Sequence, residues 1–209
     1  MFVKSIMISK YHCHTVSYDD SLELVLKKLD EKQIEAVPVL KDEKYVGTIT
    51  RYRIYKQAFL SELPRSIYLK DIKAADIAER NKTLTGQEIF ENVLVDLKEM
   101  PLMAVVEEDG DFLGIVTRYD VMAEFQHAFG VHVPGVRIAL KTVETKGRIA
   151  RLTELTRQYQ QQIIALITFD ETDKLVRRIV IKVAKSPNVD KFIKKLEESG
   201  FGILDIQEM

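Results

Sequence analysis

Apolar residues along the first 130 positions alternate between two spacings. Leu22, Val25, Leu26 and Leu29 recur every three or four residues, as do Ile89, Val93, Leu97 and Met100. That spacing gathers them on one helical face. Residues 36–40, 45–50, 103–107 and 112–117 are short, β-branched apolar runs that read as strands. Asp19, Asp20 and Ser21 offer capping side chains before the first helix, and Thr85-Gly86-Gln87-Glu88 has the form of a capping box before the second. Turn residues separate the strands of each pair, 41–44 in one case and Glu108-Asp109-Gly110-Asp111 in the other. The Asp-Gly step is a hairpin signal. A short helix is predicted after each pair, over 51–59 and 118–129.

The same pattern occurs twice because the chain repeats itself. Val46-Gly47-Thr48-Ile49-Thr50-Arg51-Tyr52 returns as Leu113-Gly114-Ile115-Val116-Thr117-Arg118-Tyr119, 67 positions later. An ungapped reading at that offset lays Val39 on Val106 and Asp42 on Asp109. Upstream the offset becomes 71, with Ile6 on Ile77. Each copy therefore reads as strand, helix, strand, strand, helix in roughly fifty residues, too few for a secure core alone. Gly47 and Gly114 sit inside strands, where glycine marks close approach of another group. The copies span 1–59 and 74–129. The connector, 60–73, carries Leu60, Leu63, Pro64, Ile67 and Leu69 and is expected to be ordered.

Turn formers concentrate at Phe129-Gly130-Val131-His132-Val133-Pro134-Gly135, which marks a boundary. Beyond it the pattern predicts a strand over Val136–Val143, a helix over 146–161 with Ile149, Leu152 and Leu155 on one face, and a strand over 163–169. A polar turn at 170–174, a strand over 178–184, a helix over Val189–Glu198 and a final strand over 201–206 follow. The order β-α-β-β-α-β in 136–209 is that of a ferredoxin-like unit. The fold class is thus α/β (α+β), a doubled half-module followed by this unit.

Composition narrows the function. Thirty-one basic against 32 acidic residues give a net charge of −1, unlike the basic excess of a nucleic-acid binder. No apolar stretch approaches the ~18 residues of a membrane span, and the first residues lack the features of a signal peptide. A single cysteine, Cys13, fits a reducing, cytoplasmic setting. No phosphate-binding Gly-rich loop, zinc motif or Ser-His-Asp context is evident, so no catalytic residue and no cofactor is assigned. His12-Cys13-His14 lacks the four-ligand spacing of structural zinc. In an extended segment His12 and His14 face one side and Cys13 the other.

The doubled G-x-x-T-R-Y, the Ala36-Val37-Pro38-Val39 strand and the Thr15-Val16 start resemble the tandem CBS domain pair over about 1–129. The tail resembles an ACT domain, carried by Glu144-Thr145-Lys146-Gly147 between its first strand and helix. The order is similar to bacterial CBS–ACT regulatory proteins of the acetoin-utilisation type. The resemblance implies a non-catalytic sensor that binds an adenine nucleotide (AMP, ATP or cyclic di-AMP) between the copies and relays it to a partner or to the tail. It also implies a homodimer through the helices 51–59 and 118–129. The matching site positions are His14, Thr15, Ala36, Val37 and Pro38 with Thr117, Arg118 and Asp120. A second, weaker cleft would use Thr50, Arg53, Thr83, Met103, Ala104 and Val105. There Arg53 stands where Asp120 would be, and arginine cannot accept a ribose hydroxyl.

From spacing alone, Thr117-x-x-Asp120 is equally a capping box. Gly147 is either part of a ligand loop or a helix-start glycine. Two other functions fit the same sequence: a constitutive dimerisation protein with vestigial clefts, and an amino-acid sensor acting through the tail.

Overall fold

The structure is a computed structural model that describes residues 2–143, 145–171 and 176–209. Glu144 of the ACT-like motif and residues 172–174 of the expected turn lie outside the described residues. The chain divides into two compact units, Met1–Met122 and Ala123–Met209, with the division inside a helix.

The first unit contains β1 (Ile8–Ser9), β2 (Val16–Ser17), α1 (Leu22–Glu31), β3 (Ala36–Lys41), β4 (Lys44–Thr50) and α2 (Arg51–Leu60). After these come α3 (Arg65–Asp71), α4 (Ala74–Ile77), α5 (Phe90–Asp96), β5 (Leu102–Val106), β6 (Phe112–Thr117) and the start of α6 (Arg118–Ala128). The strands form two three-stranded sheets, β2-β3-β4 and β1-β6-β5. The predicted α1 face is buried as spaced: Leu22, Val25, Leu26 and Leu29 pack with Val37, Val39, Ile49 and Ile54. Ser21 caps this helix, its hydroxyl accepting from the Leu24 N–H at 3.4 Å. The connector is helical: Tyr68 of α3 is buried and Leu69 packs on the same core, whereas Leu60, Leu63 and Ile67 stay exposed.

The repeats exchange their leading segments. β1 pairs with β6 of the other repeat (Ile8 opposite Ile115, Ser9 opposite Gly114). Reciprocally, Glu79 bridges Thr48 of β4 through two backbone hydrogen bonds of 2.9 Å. Glu79 follows Ile8 by 71 positions and Ile115 follows Thr48 by 67, the two offsets of the sequence repeat. The strand glycines explain themselves here. A Cβ on Gly114 would lie 2.2 Å from the Ile8 carbonyl oxygen, and one on Gly47 2.8 Å from that of Glu79.

Two expectations are corrected. The ungapped offset fails across the hairpin: Val39 faces Gly47, but Val105 faces Gly114. The first hairpin turns through Asp42 and Glu43, both left-handed, while the second adds a residue and turns at Gly110 with φ 91°. The structural mates of residues 36–38 are consequently 102–104. The second correction concerns Thr85–Glu88, which caps no helix. The Glu88 carboxylate accepts from the Thr85 and Gly86 N–H groups at 2.8 and 2.9 Å, closing a turn, and α5 begins later, at Phe90. Val93 and Leu97 are buried as spaced, but Ile89 is exposed.

The second unit contains β7 (Val136–Val143), α7 (Arg148–Gln158), β8 (Ile163–Glu171), β9 (Val176–Val183), α8 (Val189–Glu198) and β10 (Gly202–Glu208). Its sheet order is β10-β7-β9-β8 with every neighbour antiparallel. This is the ferredoxin-like arrangement read from the sequence. The helices cover one face, where Ile138, Leu140, Ile179 and Ile181 meet Leu152, Leu155, Phe192 and Leu196. Gly147 takes φ +87° just before α7, and a Cβ there would meet nothing within 4 Å. The left-handed turn alone accounts for a glycine at this position.

Candidate functional site

Both repeats end a strand on threonine and start a helix on the next residue. Thr50 Oγ1 accepts from the Arg53 N–H at 3.1 Å, and Thr117 Oγ1 from the Asp120 N–H at 3.2 Å. The caps leave little of the first turn open: the Arg51 and Arg118 N–H groups donate to the Glu35 and Pro101 carbonyls at 2.9 and 3.0 Å, so of the first three N–H groups of each helix those of Tyr52 and Tyr119 have no acceptor among the described residues. The repeats differ at the third helical residue. Asp120 folds back, its Oδ2 accepting from the Thr117 N–H at 2.9 Å and from the Thr117 hydroxyl at 2.5 Å. Both bonds use one oxygen; Oδ1 accepts none among the described residues. The capping box and a ligand role are thus compatible, since each needs a different oxygen. Arg53 instead turns away. Its Nε donates to the Ile77 carbonyl and its Nη1 pairs with the Glu79 carboxylate.

A cavity of about 270 Å³ adjoins Thr117. Of the eight positions assigned to the first cleft, His14, Ala36 and Thr117 line it. Ile8, Ile34, Leu102 and Ile115 form an apolar floor, with His12, Cys13, Glu35, Pro101 and Tyr119 around them. The other five assigned positions lie back from the cavity. Val37 is fully buried in the α1 core, because successive strand residues face opposite ways and Ala36 takes the cleft side. Pro38 is buried in β3. The Thr15 carbonyl accepts from Lys28 Nζ at 2.5 Å. Arg118 spans the exit of α5, donating to the Leu97, Lys98 and Met100 carbonyls at 2.9–3.3 Å. Asp120 stands behind Thr117.

Residues 9–12 form a turn, closed by His12 N–H to the Ser9 carbonyl at 2.9 Å, so His12, Cys13 and His14 all reach the same cavity. Their extended alternation is overturned. Burial pushes the Cys13 thiol up to about 11, and the Asp120 charge adds to the rise. A thiol held protonated is a poor nucleophile.

The pseudosymmetric cavity is about 360 Å³ and is lined by Thr50 and Arg53 as expected, but not by Thr83, Met103, Ala104 or Val105. Met103, Ala104 and Val105 are buried in β5. The one-residue insertion in the second hairpin explains part of this, because it puts Leu102 at the position of Ala36. This cavity is lined by charged side chains: Glu35, Glu79, Glu99 and Lys56 join Arg53.

Sequence reasoning missed Ile8 and Ile115, which meet only through the strand exchange, and Glu35 and Pro101, which line both cavities. Tyr52 and Tyr119 carried a signal: both belong to the doubled T-R-Y, and each lines its cavity.

Comparison with known proteins agrees with this geometry. The model of the CBS domain family matches residues 3–58 and 87–127. A CBS domain-containing protein of Bacillus anthracis superposes with a TM-score of 0.55 at 27% identity, over 60% of this chain and 93% of that one. Listeria monocytogenes CbpB in complex with c-di-AMP gives 0.55 at 25% identity, over 63% and 98%. CBSX2 in complex with AMP gives 0.51 at 26% identity, over 60% and 96%. Among curated relatives, an inosine-5'-monophosphate dehydrogenase of Korarchaeum cryptofilum (strain OPF8) is 32% identical over 115 residues, 55% of this chain. The chain spans only 23% of that protein's length. No helix among the described residues is long and apolar enough to cross a membrane. The doubled signature, the exchanged strands, the paired cavities and these matches support a tandem CBS pair in the first part of the chain, its two copies matching the family at residues 3–58 and 87–127.

Proposed function

We propose that the first unit binds one adenine nucleotide per chain, in the cavity beside Thr117, and that the chain is a regulatory sensor without catalysis. The observation that carries this reading is the split use of Asp120. Oδ2 holds the start of α6, and Oδ1, which accepts nothing among the described residues, would take a ribose hydroxyl reaching past Thr117. A phosphate would meet the Tyr119 N–H at the start of α6, where the Arg118 and Asp120 N–H groups are already bonded to the Pro101 carbonyl and the Thr117 hydroxyl. The apolar surface of Ala36, Ile8, Leu102 and Ile115 suits a purine face, with His14 at the rim. Thr15, Val37 and Pro38 would contribute backbone, and Arg118 its positive field from the α5 exit. The solved relatives with AMP and c-di-AMP support the ligand class. The second cavity has Arg53 at the position of Asp120, and that arginine is tied to Glu79.

Binding would bias the CBS pair, and a partner protein or the ferredoxin-like, ACT-like unit would receive the signal; a useful coupling is ~1–3 kcal/mol. A homodimer through α2 would cover Tyr55, Phe59 and Leu60, which are exposed in the single chain. An amino-acid ligand at the Gly147 loop finds no comparable support, since the backbone there explains the glycine. The test is calorimetric titration of the full chain with AMP, ATP and c-di-AMP. Saturable binding of at least one, at one nucleotide-binding site per chain, is expected. Absence of binding by all three rejects the reading in favour of a constitutive interaction protein.

A further inference from the structure

The ferredoxin-like sheet has a face its helices do not cover. Strand alternation sends Arg137 of β7, Ala165, Ile167 and Phe169 of β8, and Val180 and Lys182 of β9 to that side. With Phe129, Val131 and Met209 they line a cavity of about 240 Å³. The wall is apolar except for two cations. Arg137 and Lys182 are register partners on adjacent antiparallel strands. Such partners have Cβ atoms ~4.5–5.5 Å apart, and like charges there repel.

Their surroundings differ. Arg137 donates to Asp205 at 2.9 Å and is neutralised. Lys182 is 3% exposed, and its ammonium donates to the Gly130 carbonyl at 2.8 Å. Among the described residues no carboxylate lies within ion-pair reach of that ammonium. An ammonium has three donors, and a buried cation without a counter-ion is costly. The carbonyl fixes Lys182 in place without cancelling its charge.

We infer that this cavity is a binding site for a small monocarboxylate with an apolar tail, its carboxylate on Lys182 and its tail against Ala165, Ile167 and Val180. At about 30 Å³ per water-sized group, the cavity accepts roughly eight heavy atoms, the size of hexanoate. An α-amino group would bring a third cation beside Lys182 and Arg137. The site therefore selects simple carboxylates over amino acids, which separates it from the amino-acid ligand that an ACT-like unit suggests.

The experiment titrates the full chain with hexanoate, norleucine and hexan-1-ol by calorimetry, in the parent, Lys182→Met and Ala165→Leu proteins. Hexanoate should saturate the parent. Norleucine and hexan-1-ol should bind at least tenfold more weakly, the loss of about one charge-assisted hydrogen bond. Lys182→Met should weaken hexanoate at least as much by removing the charge, and Ala165→Leu by filling the cavity. No saturable hexanoate binding to the parent overturns the inference, as does undiminished binding in either folded variant. Should Lys182→Met fail to fold, Ala165→Leu decides alone. Hydrogen exchange showing this face protected by a second copy in the unliganded chain also overturns it.

Discussion

Asp120 carries two roles on two oxygens, and substitution can separate them. Asparagine keeps one carbonyl oxygen, which can accept from the Thr117 N–H as Oδ2 does at 2.9 Å. What it loses is the second acceptor and the charge. A hydroxyl-to-carboxylate bond is worth ~1.5–3 kcal/mol, and each ~1.4 kcal/mol is tenfold in affinity. Asp120→Asn should therefore weaken AMP binding by roughly 10- to 150-fold while the melting temperature stays near the parent's. Asp120→Ala removes the cap as well. It should lose the same affinity and, in addition, about 1 kcal/mol of stability, roughly 4 °C in Tm for a unit of this size. Calorimetry gives the affinities and thermal unfolding gives the shift. Parental AMP affinity in Asp120→Asn would refute the ribose-acceptor role and leave Asp120 as a cap alone. An equal fall in Tm for both variants would refute the division of labour between the oxygens.

Two further outcomes follow from the strand exchange and the cleft. Gly114→Ala sets a Cβ 2.2 Å from the Ile8 oxygen and 3.0 Å from Met7; backbone must move, so the cost should reach or exceed the ~3 kcal/mol at the upper end of overpacking. Gly47→Ala, at 2.8 Å, should cost less; urea unfolding that ranks them the other way, or leaves Gly114→Ala at parental stability, contradicts the exchanged-strand packing. Cys13, at about 11 against an ordinary 9.0, should react with a thiol reagent at pH 7 about a hundredfold more slowly than an unperturbed cysteine, because only the thiolate attacks. Saturating AMP should slow it further; a rate equal to that of free cysteine shows that the side chain does not sit in the apolar cleft.

Much of this protein is written locally. The 3.6-residue spacing of Leu22, Val25, Leu26 and Leu29, the β-branched runs and the doubled Thr-Arg-Tyr specify elements whose hydrogen bonds and caps close within a few residues. The alternation of the tail specifies its βαββαβ order the same way. Gly47 and Gly114 even announced that something must approach them. What approached could not be read, because Ile8 meets Gly114 across more than a hundred residues and only the folded pair brings them together. The cleft shares that dependence. Thr117 and Asp120 are neighbours in sequence and were legible. Their apolar floor comes from β1, β5, β6 and Ile34 just before β3, and exists only after the exchange. A single extra residue in the second hairpin moved the assigned strand positions by one, and along a strand one position reverses the face. Lys182 shows the same limit: as a sequence residue it is an ordinary polar position in an alternating strand. Burial beside Arg137, with no carboxylate in ion-pair reach of its ammonium among the described residues, is a property of packed strands, set by distances between residues that no local pattern relates.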